Sequence, residues 1–247
     1  LANLREVVEV LRANGFNAVY ATDIAAAREQ VLQLIPKGAT VGIGDSASVR
    51  QLDVLDRLVS EGRVLVDLFS KPISLSSSAG EISIEQRRQI GKLAINCEFF
   101  LTGTNALTED GKLVNTDGYG NRVGGMIFGP RSVLIVAGRN KLVKSTDEAF
   151  YRIRNVIAPE HAKAKGKKTP CVKTGRCTDC SSPDRICRVT TIIEKAIGYT
   201  TITILAVEED LGLGWNEDWP KERIDRIRSA YAELTWLRLK SAIGGTA

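Results

Sequence analysis

The chain has 247 residues, 43% of them hydrophobic and 26% charged, with a formal net charge of +5. These proportions are ordinary for a soluble globular protein, and the length suits one large α/β domain, or a domain plus a small appendage, with a sizeable core. No apolar run is long enough to span a bilayer, and LANLREVVEVLRANG has no apolar signal core, so a cytoplasmic protein without a membrane span is expected.

In chain order, Leu4, Val7, Val8, Val10 and Leu11 share one helix face that closes near Gly15. Asn17 to Tyr20 reads as a strand. Asp23 caps a second helix through Ile35, stopped by Pro36 and Gly38. Ala39 to Ile43 is a buried strand, Ser46 or Ser48 caps a helix to about Ser60, and Arg63 to Phe69 is another strand. Glu81 to Asn96 is helical and Glu98 to Thr102 a strand. Thr104 to Gly129 holds six glycines and a hairpin turn at Asp110-Gly111. Ser132 to Ala137 is a strong buried strand, followed by a helix from Thr146 to Val156. Residues 158–188 are polar and cationic with no clear period. Val189 to Ile193 and Thr200 to Val207 resume the strand pattern, and Pro220 to Lys240 is an amphipathic helix.

Strands alternating with helices imply an α/β fold with a largely parallel sheet covered on both faces. The expected organisation is an α/β domain in two parts, residues 1–157 and 189–247, with 158–188 as a cysteine-rich metal-binding insertion.

Four of the five cysteines, Cys171, Cys177, Cys180 and Cys187, fall in the stretch CVKTGRCTDCSSPDRIC. Thiolates are soft ligands, and four on one loop can enclose a metal centre. Three readings compete: a [4Fe–4S] cluster, a structural zinc, and a pair of disulfides. Zinc sites favour two close pairs, whereas here one close pair is flanked by single cysteines, which suits a bulky cluster better. A reducing cytoplasm argues against disulfides. Cys97 precedes an apolar strand and reads as a buried inert thiol.

Lys163, Lys165, Lys167, Lys168, Lys173 and Arg176 crowd the approach to the cysteines. They read as a solvated loop offsetting thiolate charge, or as a docking patch for an acidic electron carrier. Without interleaved aromatics, nucleic acid is not expected as a partner. His161 is the only histidine and reads as a surface residue of this loop, with a proton group close to the cluster as the alternative.

The segment TVGIGDSASVRQL is a strand, a glycine turn and a helix. Gly42 and Gly44 would let backbone approach a ligand, with Asp45 and Ser46 beside them, or Ser46 would simply cap the helix. It is a partial dinucleotide fingerprint, because Ala47 stands at the third glycine position and Asp67 falls inside the next strand. Asn105, Asn121 and Arg122 of the glycine-rich middle, and Arg139, Asn140 and Lys141 after a strong strand, are further candidates for binding a small anionic metabolite at the carboxyl edge of the sheet. Asp117 and Glu109 are candidate proton acceptors.

FFLTGTNALTEDGKLVNTDGYGNRVGGMIFGPRSVLIVAGRNKLV, from Phe99 to Val143, strongly resembles the lactate-utilisation (LUD-domain) family. TPCVKTGRCTDCSSPDRICRVTTII looks like its cysteine-bearing subgroup, and VGIGDSASVRQL fits its first glycine turn. The resemblance runs from about residue 2 to about residue 212. It implies a modified Rossmann-like domain similar to the ribose-5-phosphate isomerase and CoA-transferase superfamily. Some members act in multiprotein systems that oxidise L-lactate to pyruvate with iron–sulfur subunits. The leading expectation is an iron–sulfur protein that helps oxidise or reduce a small anionic metabolite with a partner carrier or oxidoreductase subunit; a homo-oligomer is allowed. The alternatives are a CoA-transferase-like enzyme using Glu109 as nucleophile with a structural zinc, and a non-catalytic ligand-binding or assembly subunit.

Overall fold

The computed structural model describes residues 3–67 and 83–242. Among them are ten strands: β1 (Asn17–Ala21), β2 (Thr40–Ile43), β3 (Val64–Asp67), β4 (Phe99–Gly103), β5 (Ala106–Thr108), β6 (Leu113–Asp117), β7 (Ser132–Gly138), β8 (Leu142–Val143), β9 (Val189–Ile193) and β10 (Thr201–Val207). The α-helices are α1 (Leu4–Ala13), α2 (Ile24–Leu34), α3 (Ala47–Gln51), α4 (Leu55–Ser60), α5 (Ile84–Ile95), α6 (Asn121–Ile127), α7 (Thr146–Arg152), α8 (Ala158–Ala164), α9 (Pro170–Thr174) and α10 (Lys221–Ala242). The ends expected at Phe69 and Glu81 lie outside the described residues.

Six strands form a wholly parallel sheet in the order β1-β10-β7-β4-β2-β3. Alternation along each strand supplies two cores. Leu134 and Val136 of β7 face α2, α3 and α4, while Val133, Ile135 and Ala137 face α1, α5 and α6. Each such side chain contributes about 1.5–3 kcal/mol by leaving water. The result is a Rossmann-like α/β domain, as expected. No helix among the described residues is long and apolar enough to cross a membrane.

The middle of the chain builds a second, mixed sheet, β8-β5-β6-β9. Its inner residues Leu107, Leu113 and Leu142 join the core under α1. Its outer residues Ala106, Val114 and Val143 pack on α7, α8 and α10 in a third core. Val189–Ile193 therefore pairs with β6 rather than rejoining the parallel sheet. Two further expectations need correcting. The helix expected from Ser46 to Ser60 is two helices, broken where Asp53 takes a φ of +50°. The boundary drawn at 157/158 falls inside a continuous helix, because a π turn, Ile153–Ile157, joins α7 to α8.

Candidate functional site

The strand order fixes where a ligand site is favoured. After β2 the chain moves outward to β3, and after β4 it moves the opposite way, to β7. The adjacent carboxyl ends of β2 and β4 are thus the topological switch point, where open α/β sheets bind their ligands. Asp45 and Ser46 leave one strand there, and Thr104 and Asn105 the other.

Charged and polar groups from several elements meet at this edge. Arg122, in the first turn of α6, donates from Nη2 to Asn105 Oδ1 at 3.0 Å and to the Thr116 carbonyl at 2.6 Å. Asn105 is itself held by Asn115, whose Oδ1 accepts from the Asn105 amide at 3.1 Å. Lys165, at the end of α8, reaches Asp45 Oδ2 at 2.6 Å. One turn earlier, His161 Nδ1 shares a hydrogen bond with Tyr231 OH of α10. Burial raises the Asp45 carboxyl, but the Lys165 charge outweighs it and the group falls to about 2. Burial, reinforced by Lys165, drives the His161 imidazole down to about 3.

Both shifts make the fold acid-labile. A depressed folded pKa means that the unfolded chain binds protons more readily, so stability is full above the unfolded pKa and falls below it. The His161 contribution is lost as pH drops from 6.5 towards about 3, and that of Asp45 from 3.8 towards about 2. His161→Gln should flatten the stability profile below pH 6.5. Unfolding midpoints in urea across that range test this; an unchanged slope would contradict it.

His161 was expected on a loop surface, yet it is half-buried on a helix. The missed signal is the apolar period of the preceding helix, which Val156, Ile157 and Ala162 carry past residue 158. Lys165 likewise turns inward and leaves the solvated patch.

The other candidates are engaged within the fold. A Cβ on Gly42 would lie 1.9 Å from the Ala94 carbonyl oxygen, so glycine is needed for α5 to pack on β2. At Gly44 it would lie 2.5 Å from Thr102 Oγ1. The Gly44 amide is already bonded to Leu101 O at 2.9 Å. Ser46 caps α3, accepting from Val49 N at 3.3 Å. Asp67 is ion-paired with Arg50 at 3.1 Å, both side chains buried. Asp117 accepts from the amides of Tyr119, Arg122 and Val123, which makes it a cap for α6 rather than a waiting base. Glu109 sits at the hairpin end of β5, opposite Asn105, with its amide on Val143 O. Arg139 pairs with Asp210 at 3.0 Å. Asn140 is fully buried and ties down Leu211, Gly212 and Gly214. Lys141 is buried on the Leu213 carbonyl, and burial with Arg152 and Arg122 nearby brings its amine to about 7. Asn121 opens α6, half-buried.

The four clustered cysteines are free thiols, none of them disulfide-bonded, and they line one concavity together with Arg154, Ala158, Thr169, Thr178, Arg185 and Ile186. Cys171 comes from α9, and the other three from the loop after it. The Asp179 amide donates to Cys177 Sγ at 3.4 Å, and Thr169 Oγ1 shares a hydrogen bond with Cys171 Sγ at 3.1 Å. Arg185 ties the loop by donating to Cys180 O at 2.6 Å and Cys187 O at 2.9 Å. Four thiols with cationic and N–H neighbours have the donor chemistry of a thiolate-ligated centre. Among the described residues, no group of three or more His, Cys, Asp or Glu side chains is arranged to hold a single metal ion. Cys97 is buried elsewhere, its Sγ on Leu93 O at 3.3 Å.

The loop abuts the switch point. Ile186 packs on Gly118, and the Arg188 amide donates to Asp117 O at 2.9 Å. Ala158 lines the cysteine concavity, and His161 and Lys165 follow at i+3 and i+7, the spacing of one helix face.

Among solved structures, the chain is similar to a DUF162 family protein from Deinococcus radiodurans, at 10% identity over 84% of this chain and 99% of that one, with a TM-score of 0.43. No curated protein matches. The family model of the LUD domain matches residues 4–207, all six strands of the parallel sheet and all four clustered cysteines included. The chain belongs to the LUD-domain family.

Proposed function

We propose that this LUD-domain protein is an iron–sulfur protein of the lactate-utilisation type, which binds a small anionic metabolite at the switch point and takes part in its oxidation or reduction with a redox partner. The observation that carries the reading is the convergence of Cys171, Cys177, Cys180 and Cys187 on one concavity beside the Asp117–Gly118 edge. Those four cysteines would hold a [4Fe–4S] cluster, which supplies one-electron transfer when bound. This chain's own part is to bind and orient the metabolite. Arg122, half-buried and donating to the neutral oxygens of Asn105 and Thr116, favours a carboxylate or phosphate, and Lys165 adds a second cation.

Calorimetry with L-lactate and with inorganic phosphate tests the anion site. Arg122→Gln should weaken binding by about tenfold or more, the worth of a charged hydrogen bond, while Glu109→Gln leaves it unchanged. Equal affinities in wild type and Arg122→Gln would reject the site.

The partner surface is narrower than the basic run suggests. Lys165 is paired with Asp45, Lys167 lies 3.9 Å from Asp184, and Arg176 pairs with Glu217. Lys163, Lys168 and Lys173 remain exposed around the cysteine loop. Replacing these three with Gln should slow association with an acidic ferredoxin by roughly tenfold at low salt and abolish most of its salt dependence. Stopped-flow rates that ignore both the substitutions and salt would leave them ordinary surface lysines.

A further inference from the structure

We infer that His161 is the proton-holding residue of the switch-point site: an anion bound beside Arg122 and Lys165 draws a proton onto its imidazole. The inference rests on the anion-site reading above and deepens it. It starts from local charge. Arg122 and Lys165 bring two positive groups to the edge, Asp45 and Asp117 two negative ones, so the cluster is balanced as it stands. His161 and Tyr231 lie among these groups and are neutral partners in one hydrogen bond. An incoming monoanion leaves one uncompensated negative charge in a half-buried setting, which is costly unless a proton follows.

Few groups could take that proton. Asp117 is committed to three amides, and Asp45 is held ionised by Lys165. The Arg50–Asp67 pair is internally neutral. Two groups remain, His161 and Lys141, and their settings differ. Lys141 faces Arg122 and Arg152 and is bonded to a backbone carbonyl in the interior. His161 faces both Asp45 and Asp117, whose charges favour an imidazolium once the cations are engaged by the ligand. Nδ1 is bonded to Tyr231 OH, and Nε2 makes no hydrogen bond to a described residue, which leaves that atom to meet a ligand or water. Tyr231 is buried, and so it fixes the ring rather than exchanging with solvent.

Because the chain has one histidine, its imidazole nitrogen signals are unambiguous in NMR. The experiment titrates the full-length protein with isotope-labelled histidine against pH, with and without saturating inorganic phosphate, while calorimetry in two buffers of different ionisation enthalpy counts protons taken up. The expected result is an imidazole that stays neutral through mildly acidic pH in the free protein. With phosphate bound its proton affinity rises by about 10⁴-fold or more, which carries the imidazole from about 3 past neutrality, so that close to one proton is taken up per anion. Tyr231→Phe should keep anion binding but change the Nδ1 signal. Phosphate binding that needs Arg122 yet leaves the imidazole unmoved would overturn the inference and keep the anion site. Proton uptake without a histidine shift would place the proton on Lys141 or on the phosphate itself and also overturn it. No phosphate binding at all would overturn both.

Discussion

Serine in place of any one of Cys171, Cys177, Cys180 or Cys187 is expected to abolish stable cluster assembly, whereas Cys97→Ser leaves it intact. The four thiols line one concavity and Cys97 lies apart, against the Leu93 carbonyl. A serine hydroxyl is a harder, far less acidic ligand than a thiol, so each substitution removes one of four attachment points for soft iron. The fold should survive, because the loop is tied by Arg185 to the Cys180 and Cys187 carbonyls and not by the sulfurs alone. Visible absorption after anaerobic reconstitution reads the result. Full cluster content in any of the four serine variants would remove that cysteine from the ligand set.

Gly42→Ala should cost about 3 kcal/mol of stability, at the upper end for a methyl forced into a packed core. The added carbon would lie 1.9 Å from Ala94 O and 2.6 Å from its carbonyl carbon, and backbone cannot rotate away as a side chain does. Gly44→Ala meets the Thr102 side chain instead, which can shift, so its cost should be roughly 1 kcal/mol. Urea midpoints with an unchanged m-value would register both. A Gly42→Ala protein of normal stability with reduced anion affinity would return Gly42 to the ligand site.

These two glycines show what a sequence can and cannot say. G-x-G after a buried strand signals close backbone approach, and close approach is what the structure contains. The approaching backbone belongs to α5 rather than to a ligand, and nothing local distinguishes the two. The parallel strands were legible because β2, β4, β7 and β10 are short apolar runs with turn signals at their ends. Strand order was not, and strand order is what selects Asp45 and Asn105 as switch-point residues. Arg122 was legible as a cation in a glycine-rich turn. Asp117 looked equally available because two of the three amides it accepts from, those of Arg122 and Val123, belong to α6, a helix whose two glycines, Gly124 and Gly125, hide it from propensity. His161 and Tyr231 are 70 residues apart, and only the packing of α8 on α10 joins them.

The central claim is that the four-cysteine concavity holds a [4Fe–4S] cluster. Metal and acid-labile sulfide analysis of protein purified without oxygen tests it most directly. About four iron atoms and four sulfides per chain are expected, with the electron paramagnetic resonance signal of a reduced cubane after dithionite. About one zinc per chain, with neither iron nor sulfide, would contradict it.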